Sequence, residues 1–365
     1  MEKIDCIVVG AGVVGLAAAR ELALRGREVL IIEANQMIGN ETSSRNNEVL
    51  HAGFLYPPDH LRARFCRIGH QKIADYCMER EIDLEVWGKL MLAQDNKQEA
   101  MLKTFQEFGN ACGVNDLVLM KPDDVKTLEP EIICRAALYS PSTAVVDTHA
   151  LMLSYLGDAE NAGATLSLNS KVVGGSGRSI RIESEDGTEL ELEWTFMVNS
   201  AGLGARDIAA LYSKDRAHKL PKIFYAKGSF FSLSGKRPFD HIIVPLGATI
   251  AKGGSFTIDP GGQGKFGPDL EWVEARDYSI KTSSVSQFCA AVGTYWNGLD
   301  PRRLQPGYAG VRPRTYGPTD TPADWVIETE LEHGTPGLVN LLGIETPGLT
   351  ACLAIARHVA DQLVN

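Results

Sequence analysis

The first fifteen residues constrain this chain more than any other stretch. Residues 4–15 read Ile-Asp-Cys-Ile-Val-Val-Gly-Ala-Gly-Val-Val-Gly. The apolar, β-branched run predicts a buried strand ending at Gly10, and the Ala- and Leu-rich run from Val13 to Arg25 predicts a helix stopped by Gly26. Gly10, Gly12 and Gly15 therefore form a G-x-G-x-x-G across a strand–turn–helix. There the first glycine makes the turn, the second lets a pyrophosphate approach the backbone, and the third lets helix and strand pack closely. The helix N-terminus offers unpaired N–H groups and a partial positive charge to phosphate. A second strand, Glu28 to Ile32, ends in Glu33, eighteen residues after Gly15, where a carboxylate suits a ribose hydroxyl. Motif, strand, helix and acid together favour a dinucleotide site over a ligand-free βα turn.

The rest of the composition narrows the partners. A net charge of −10 argues against nucleic acid. The seven cysteines form no C-x-x-C pair, which fits reduced, mostly buried thiols and a cytoplasmic protein. The first apolar stretch already belongs to a strand, so no signal peptide is expected, and no run is long enough for a transmembrane segment. Peripheral membrane contact stays open.

Periodicity predicts helices over 60–80, 97–112, 122–128, 147–162, 285–296 and 349–363, and strands over 84–93, 223–233, 239–257 and 338–342. Residues 171–194 alternate around an Asp186-Gly187 turn and read as a hairpin, placed before a separate strand over 195–200. Residues 260–268, rich in Gly and Pro, read as a loop. Nucleotide-type segments at both ends and in the middle, with sheet-like stretches between, predict an α/β fold: a Rossmann-like domain (1–85, 145–217 and 305–365) interleaved with an antiparallel-sheet substrate or cap domain (86–144 and 218–304). The pocket is expected at their junction.

Several further runs carry a family resemblance: Thr42-Ser43-Ser44-Arg45-Asn46-Asn47, His51-Ala52-Gly53, Leu61-Arg62-Ala63-Arg64, Lys227-Gly228-Ser229, Phe266-Gly267-Pro268-Asp269, Gly310-Val311-Arg312-Pro313 and Gly343-Ile344-Glu345-Thr346-Pro347-Gly348-Leu349-Thr350. With the glycine motif they make the chain resemble FAD-dependent oxidoreductases of the D-amino-acid oxidase class, closest to the L-2-hydroxyglutarate dehydrogenase/oxidase branch. The resemblance implies FAD as cofactor. It places Gly10, Gly12, Val14, Gly15, Glu33, Ala34, Ser43, Ser44, Arg45 and Asn47 along the adenosine and pyrophosphate. Val172 or Val173 would meet the adenine end, and Ala201 and Gly202 would allow close backbone approach. His51 and Ala52 would lie against the flavin, as would Arg312, Gly343, Glu345, Pro347, Gly348, Leu349 and Thr350. The start of the last helix, with Pro347 at its first position, would stabilise negative charge on reduced flavin.

The same resemblance implies a small carboxylate substrate. A hydroxyl loses a proton as its carbon loses a hydride, and histidine, with an ordinary pKa of about 6.5, suits the proton. His51 is thus a candidate base, its rival role being to pack on the ring. Arg312 is a candidate two-pronged carboxylate clamp, its rival role an ion pair with a neighbour such as Asp320; Arg314 shares its strand face. Lys227, Tyr56, Tyr225 and Tyr295 are secondary candidates. Where the branch has Gly-Val-His before the Thr-x-Asp strand, this chain has Gly253-Gly254-Ser255, so Ser255 stands at a substrate position. The expected reaction is oxidation of a 2-hydroxy acid to the 2-oxo acid. The alternative is an amine or amino-acid oxidase acting on a C–N bond. An NAD(P) dehydrogenase fits the Ser/Arg loop poorly, and a non-catalytic flavoprotein leaves His51 and Arg312 unexplained. The electron acceptor stays open among oxygen, a quinone and a carrier protein.

Overall fold

The glycine-rich turn lies in the middle of a parallel sheet. The computed structural model describes residues 2–213 and 219–364, so the expected boundary between 217 and 218 lies outside the described residues. Strand Glu2–Val9 runs parallel to Val29–Ile32 on one side and Glu189–Asn199 on the other. Thr165–Ser167 and Leu338–Leu342 extend the sheet at either end, both parallel. Ile7, Val8, Ile31 and Val198 are fully buried, as a parallel sheet covered on both faces requires. Helices Val13–Leu24, Thr148–Asn161, Leu61–Arg80 and Gly348–Leu363 pack together over one face through small side chains such as Ala17, Ala18 and Ala351. At Gly69 two of these helices nearly touch: a Cβ there would sit 2.0 Å from the Thr350 carbonyl oxygen.

The expected hairpin is present with its Asp186-Gly187 turn, but it does not precede a separate strand. Its last arm and the expected strand over 195–200 are one strand, Glu189–Asn199, whose first half pairs with Ser179–Ser184 and whose second half pairs with Leu338–Leu342. A second turn before Ser179–Ser184 adds Ser170–Ser176 to the edge.

The second sheet is mixed and mostly antiparallel. Its order runs from Glu271–Val273 through Phe224–Leu233, Gly264–Phe266, Phe256–Ile258, Ile242–Pro245, Lys89–Ala93 and Ala136–Ser140 to Val118–Met120. Several expectations change here. The run 84–93 is two strands in different sheets, divided by Gly88 at φ +68: Leu84–Glu85 pairs with Ala144–Val146, and Lys89–Ala93 enters the second sheet. The expected loop at 260–268 contains the strand Gly264–Phe266, and 239–257 is interrupted between Pro245 and Phe256. The helix from Val285 stops at Val292, leaving Tyr295 and Trp296 to fill the apolar core with Phe231, Phe256 and Phe288. Strand Leu304–Arg314, placed by sequence with the cofactor unit, pairs along Phe224–Leu233 in the second sheet.

Candidate active site

A cavity of about 360 Å3 opens where the two sheets meet. Its wall includes Glu33 and Val172, the glycine turn and first helix start, the loop with Ser43, Arg45 and Asn47, and finally His51, Arg312 and Pro347–Thr350. Glycine is required at the turn. Gly10 has φ +99, and a Cβ on Gly15 would stand 1.9 Å from the Gly10 carbonyl oxygen. Gly12 faces Ser43, whose hydroxyl accepts a hydrogen bond from the Val13 amide at 3.0 Å. Glu33 is buried beside them. One carboxylate oxygen accepts from Ala11 N at 2.8 Å, the other from Asn35 N and Nδ2 at 2.9 and 2.7 Å. Two carboxylate oxygens hold about four lone-pair sites, so one remains for a ribose hydroxyl. A cleft with a carboxylate, a helix N-terminus and a polar loop in sequence fits an adenine dinucleotide with a flavin end.

Most of the anticipated cofactor residues line this cavity: Gly10, Gly12, Val14, Glu33, Ala34, Ser43, Arg45, Asn47, His51, Val172, Ala201, Gly202, Arg312, Glu345, Pro347, Gly348, Leu349 and Thr350. Gly15 and Ala52 are packed behind the wall, Ser44 turns to solvent, and Gly343 abuts Thr315. Of the two adjacent valines, Val172 is in the wall and Val173 is not. Pro347 caps the last helix instead of opening it, one residue earlier than expected.

The backbone of His51 is held on both sides. Its N–H donates to Thr350 Oγ1 at 3.0 Å, and its carbonyl accepts from Cys66 Sγ at 3.4 Å and faces His70 Nδ1 at 3.2 Å. The ring's Nδ1 is buried with no hydrogen-bond partner among the described residues. Burial, then the cations Lys89 and Arg312, hold the imidazole well below its usual 6.5, so it is uncharged at neutral pH.

The carboxylate near Arg312 is not the Asp320 named for its rival role. Asp320 accepts from the Gly317 amide, while the carboxylate near Arg312 is Glu345. Glu345 is held closely by Arg62 at 2.8 Å, and stands 3.8 Å from Arg314 Nε and 3.9 Å from Arg312. Arg62 also approaches Asp324 at 3.6 Å. Three guanidinium groups thus share two carboxylates, and Arg312, the one that lines the cavity, is held least tightly. Arg314 lies against the rings of Trp272 and Tyr316 and is not in the wall.

The remaining candidates lie outside the cavity wall. In the antiparallel register Ala226 faces Arg312 and Lys227 faces Val311, so Lys227 and Tyr225 project from the opposite side of the sheet. The Lys227 ammonium instead pairs with Asp277 at 2.6 Å. Ser255 is buried away from the wall in tightly packed backbone, where a Cβ on Gly254 would meet Thr249 at 2.8 Å. Tyr295 belongs to the apolar core, its hydroxyl donating to the Gly254 carbonyl at 2.8 Å. Tyr56 stands just behind the cavity, donating to the Thr346 carbonyl at 3.2 Å. Arg276, absent from the sequence reading, lines the mouth from the second sheet's side, and Tyr278 beside it donates to Glu41.

Comparison with known proteins shows the family and the fold. Residues 5–362 match the FAD dependent oxidoreductase (DAO) family. The chain is 39% identical over 407 residues to an Arabidopsis thaliana protein named L-2-hydroxyglutarate dehydrogenase, mitochondrial, covering 100% of this chain and 84% of that one. It is 27% identical to a glycerol 3-phosphate dehydrogenase of Caloramator mitchellensis, over 99% of this chain and 74% of that one. Among solved structures, an FAD-bound L-alpha-glycerophosphate oxidase from Mycoplasma pneumoniae has the same fold at TM-score 0.84 and 21% identity, covering 100% of this chain and 95% of that one.

Proposed function

This chain belongs to the FAD dependent oxidoreductase family, and from that premise we propose that it oxidises a small 2-hydroxy acid of the L-2-hydroxyglutarate kind to its 2-oxo acid. The observation that carries the reading is the pairing, in one cavity wall, of a loosely held guanidinium with an uncharged imidazole. Arg312 grips the carboxylate next to the reacting carbon with two parallel N–H bonds and so fixes that carbon. His51 takes the hydroxyl proton on a ring nitrogen, and its clamped backbone keeps the ring aimed. Bound FAD supplies the acceptor for the hydride. The N-terminus of helix Gly348–Leu363, in the same wall, favours negative charge that develops beside it.

All seven cysteines are free, which supports a reducing, cytoplasmic setting. No helix among the described residues is long and apolar enough to cross a membrane. The test is anaerobic bleaching of the flavin by L-2-hydroxyglutarate, set against sarcosine, glycine and proline. Bleaching by the hydroxy acid is expected; bleaching by the amines alone would replace this reading with C–N oxidation. Reoxidation of the bleached enzyme by oxygen, a quinone or a carrier protein then identifies the acceptor.

A further inference from the structure

The reaction just described leaves one buried cation without a task. Strand Lys89–Ala93 sends Leu90 and Leu92 into the apolar core with Phe231 and Phe256. Met91 and Ala93 face the other way, against Ala52 and Phe54, the segment that follows His51. Lys89 shares their side of the strand. Its ammonium lies 4.5 Å from the centre of the Phe54 ring and is 2% exposed as a residue.

Three lysines are buried in this sheet, and the other two are paired. Lys227 meets Asp277 at 2.6 Å and Lys265 meets Glu48 at 3.0 Å. Lys89 Nζ has no hydrogen-bond partner and no carboxylate in ion-pair range among the described residues. Phe54 offers it a cation–π contact, which uses none of its three N–H donors. Burying an ammonium without a counter-charge costs stability, so a residue that only filled space there would be apolar.

Its position gives the missing partner a character. Lys89 and Arg312 are the two cations whose charge acts most on the His51 ring. A substrate carboxylate on Arg312 leaves the second cation free.

We propose that Lys89 is a specificity-determining residue that receives the second carboxylate of an L-2-hydroxyglutarate-type substrate whose first carboxylate is on Arg312. This rests on the reading of Arg312 as the clamp for the first carboxylate. Lys89 lies outside the cavity wall with its ammonium on the Phe54 ring, so its flexible four-carbon stem must swing toward the ligand. Burial lowers the lysine to about 8, which leaves it largely charged at neutral pH.

The test uses the FAD-loaded enzyme and two unreactive probes, glutarate and butyrate, with affinities from calorimetry. Wild type should bind glutarate at least about 30-fold more tightly than butyrate, the low end for a buried charge pair. Lys89→Met should bring the two to near parity and raise the denaturation midpoint, because an unpaired buried charge has gone. Lys89→Arg should keep the preference. Absence of the preference in wild type, its survival in Lys89→Met, or a lower midpoint in Lys89→Met would each overturn the proposal. The two readings fail separately. Glutarate preference without bleaching by L-2-hydroxyglutarate removes the alcohol oxidation alone. Bleaching without glutarate preference removes the Lys89 site alone.

Discussion

Replacing Arg312 by Met separates a carboxylate clamp from a structural ion pair. Methionine is unbranched and fills much of the same space. Glu345 would lose little, because its close partner is Arg62 at 2.8 Å and Arg312 stands 3.9 Å away. The Arg312 side chain is 26% exposed and faces the cavity, so what disappears is its hold on an incoming anion. Two hydrogen bonds to a charged group are together worth about 3 kcal/mol at the low end, roughly 150-fold in affinity. Arg312→Met should therefore raise the half-saturating concentration of L-2-hydroxyglutarate by about that factor. The assay is anaerobic stopped-flow bleaching against substrate concentration, with FAD affinity followed by flavin fluorescence and folding by urea denaturation. FAD affinity and the urea midpoint should stay near wild type. Arg312→Lys keeps the charge but loses the fork, and should fall between the two. Equal losses of FAD and substrate affinity, or an unchanged half-saturating concentration, would refute the clamp.

Other consequences are equally open to measurement. Glu345→Gln leaves Arg62, whose side chain is 5% exposed, with the 3.6 Å contact to Asp324 as its remaining ion pair beside a 3.4 Å hydrogen bond to the Thr346 carbonyl, and should cost about 3–5 kcal/mol in urea denaturation; a loss below about 1 kcal/mol, the value of an exposed pair, would show that the cluster is solvated. His51 must be uncharged to act as a base, and burial with the nearby cations keeps its proton affinity low in the free enzyme, so the acid limb of kcat/KM should lie below pH 6.5. Substrate carboxylate offsets Arg312 and raises that affinity, so the acid limb of kcat should lie at higher pH than that of kcat/KM; the reverse order would remove His51 as the base. Gly310→Ala would place a Cβ 2.1 Å from the Arg45 carbonyl oxygen, displacing the cofactor loop, and should weaken FAD binding by fluorescence titration while the sheet's own unfolding changes less.

What could be read from sequence was what local geometry determines. The turn at Gly10, the acid at Glu33 and the start of the last helix follow from residue type over a few positions, and these line the cavity. Arg312 and Lys227 looked alike as cations on strands, and only the pairing of Leu304–Arg314 with Phe224–Leu233 decides which side of the sheet each takes. The carboxylate beside Arg312 is hidden from the sequence for the same reason: Asp320 is near in sequence, whereas Glu345 arrives on the last strand–helix turn, where it also meets Arg62, 283 residues away in sequence. Lysine in a run such as Lys89-Leu90-Met91-Leu92-Ala93 is a visible anomaly. Its meaning depends on whether a carboxylate is brought to it, and the carboxylates that serve Lys227 and Lys265 come from distant loops, at Asp277 and Glu48. Since a paired buried lysine is structure and an unpaired one is a demand for an anion, the chemistry of this site turns on a contact that the fold withholds from Lys89.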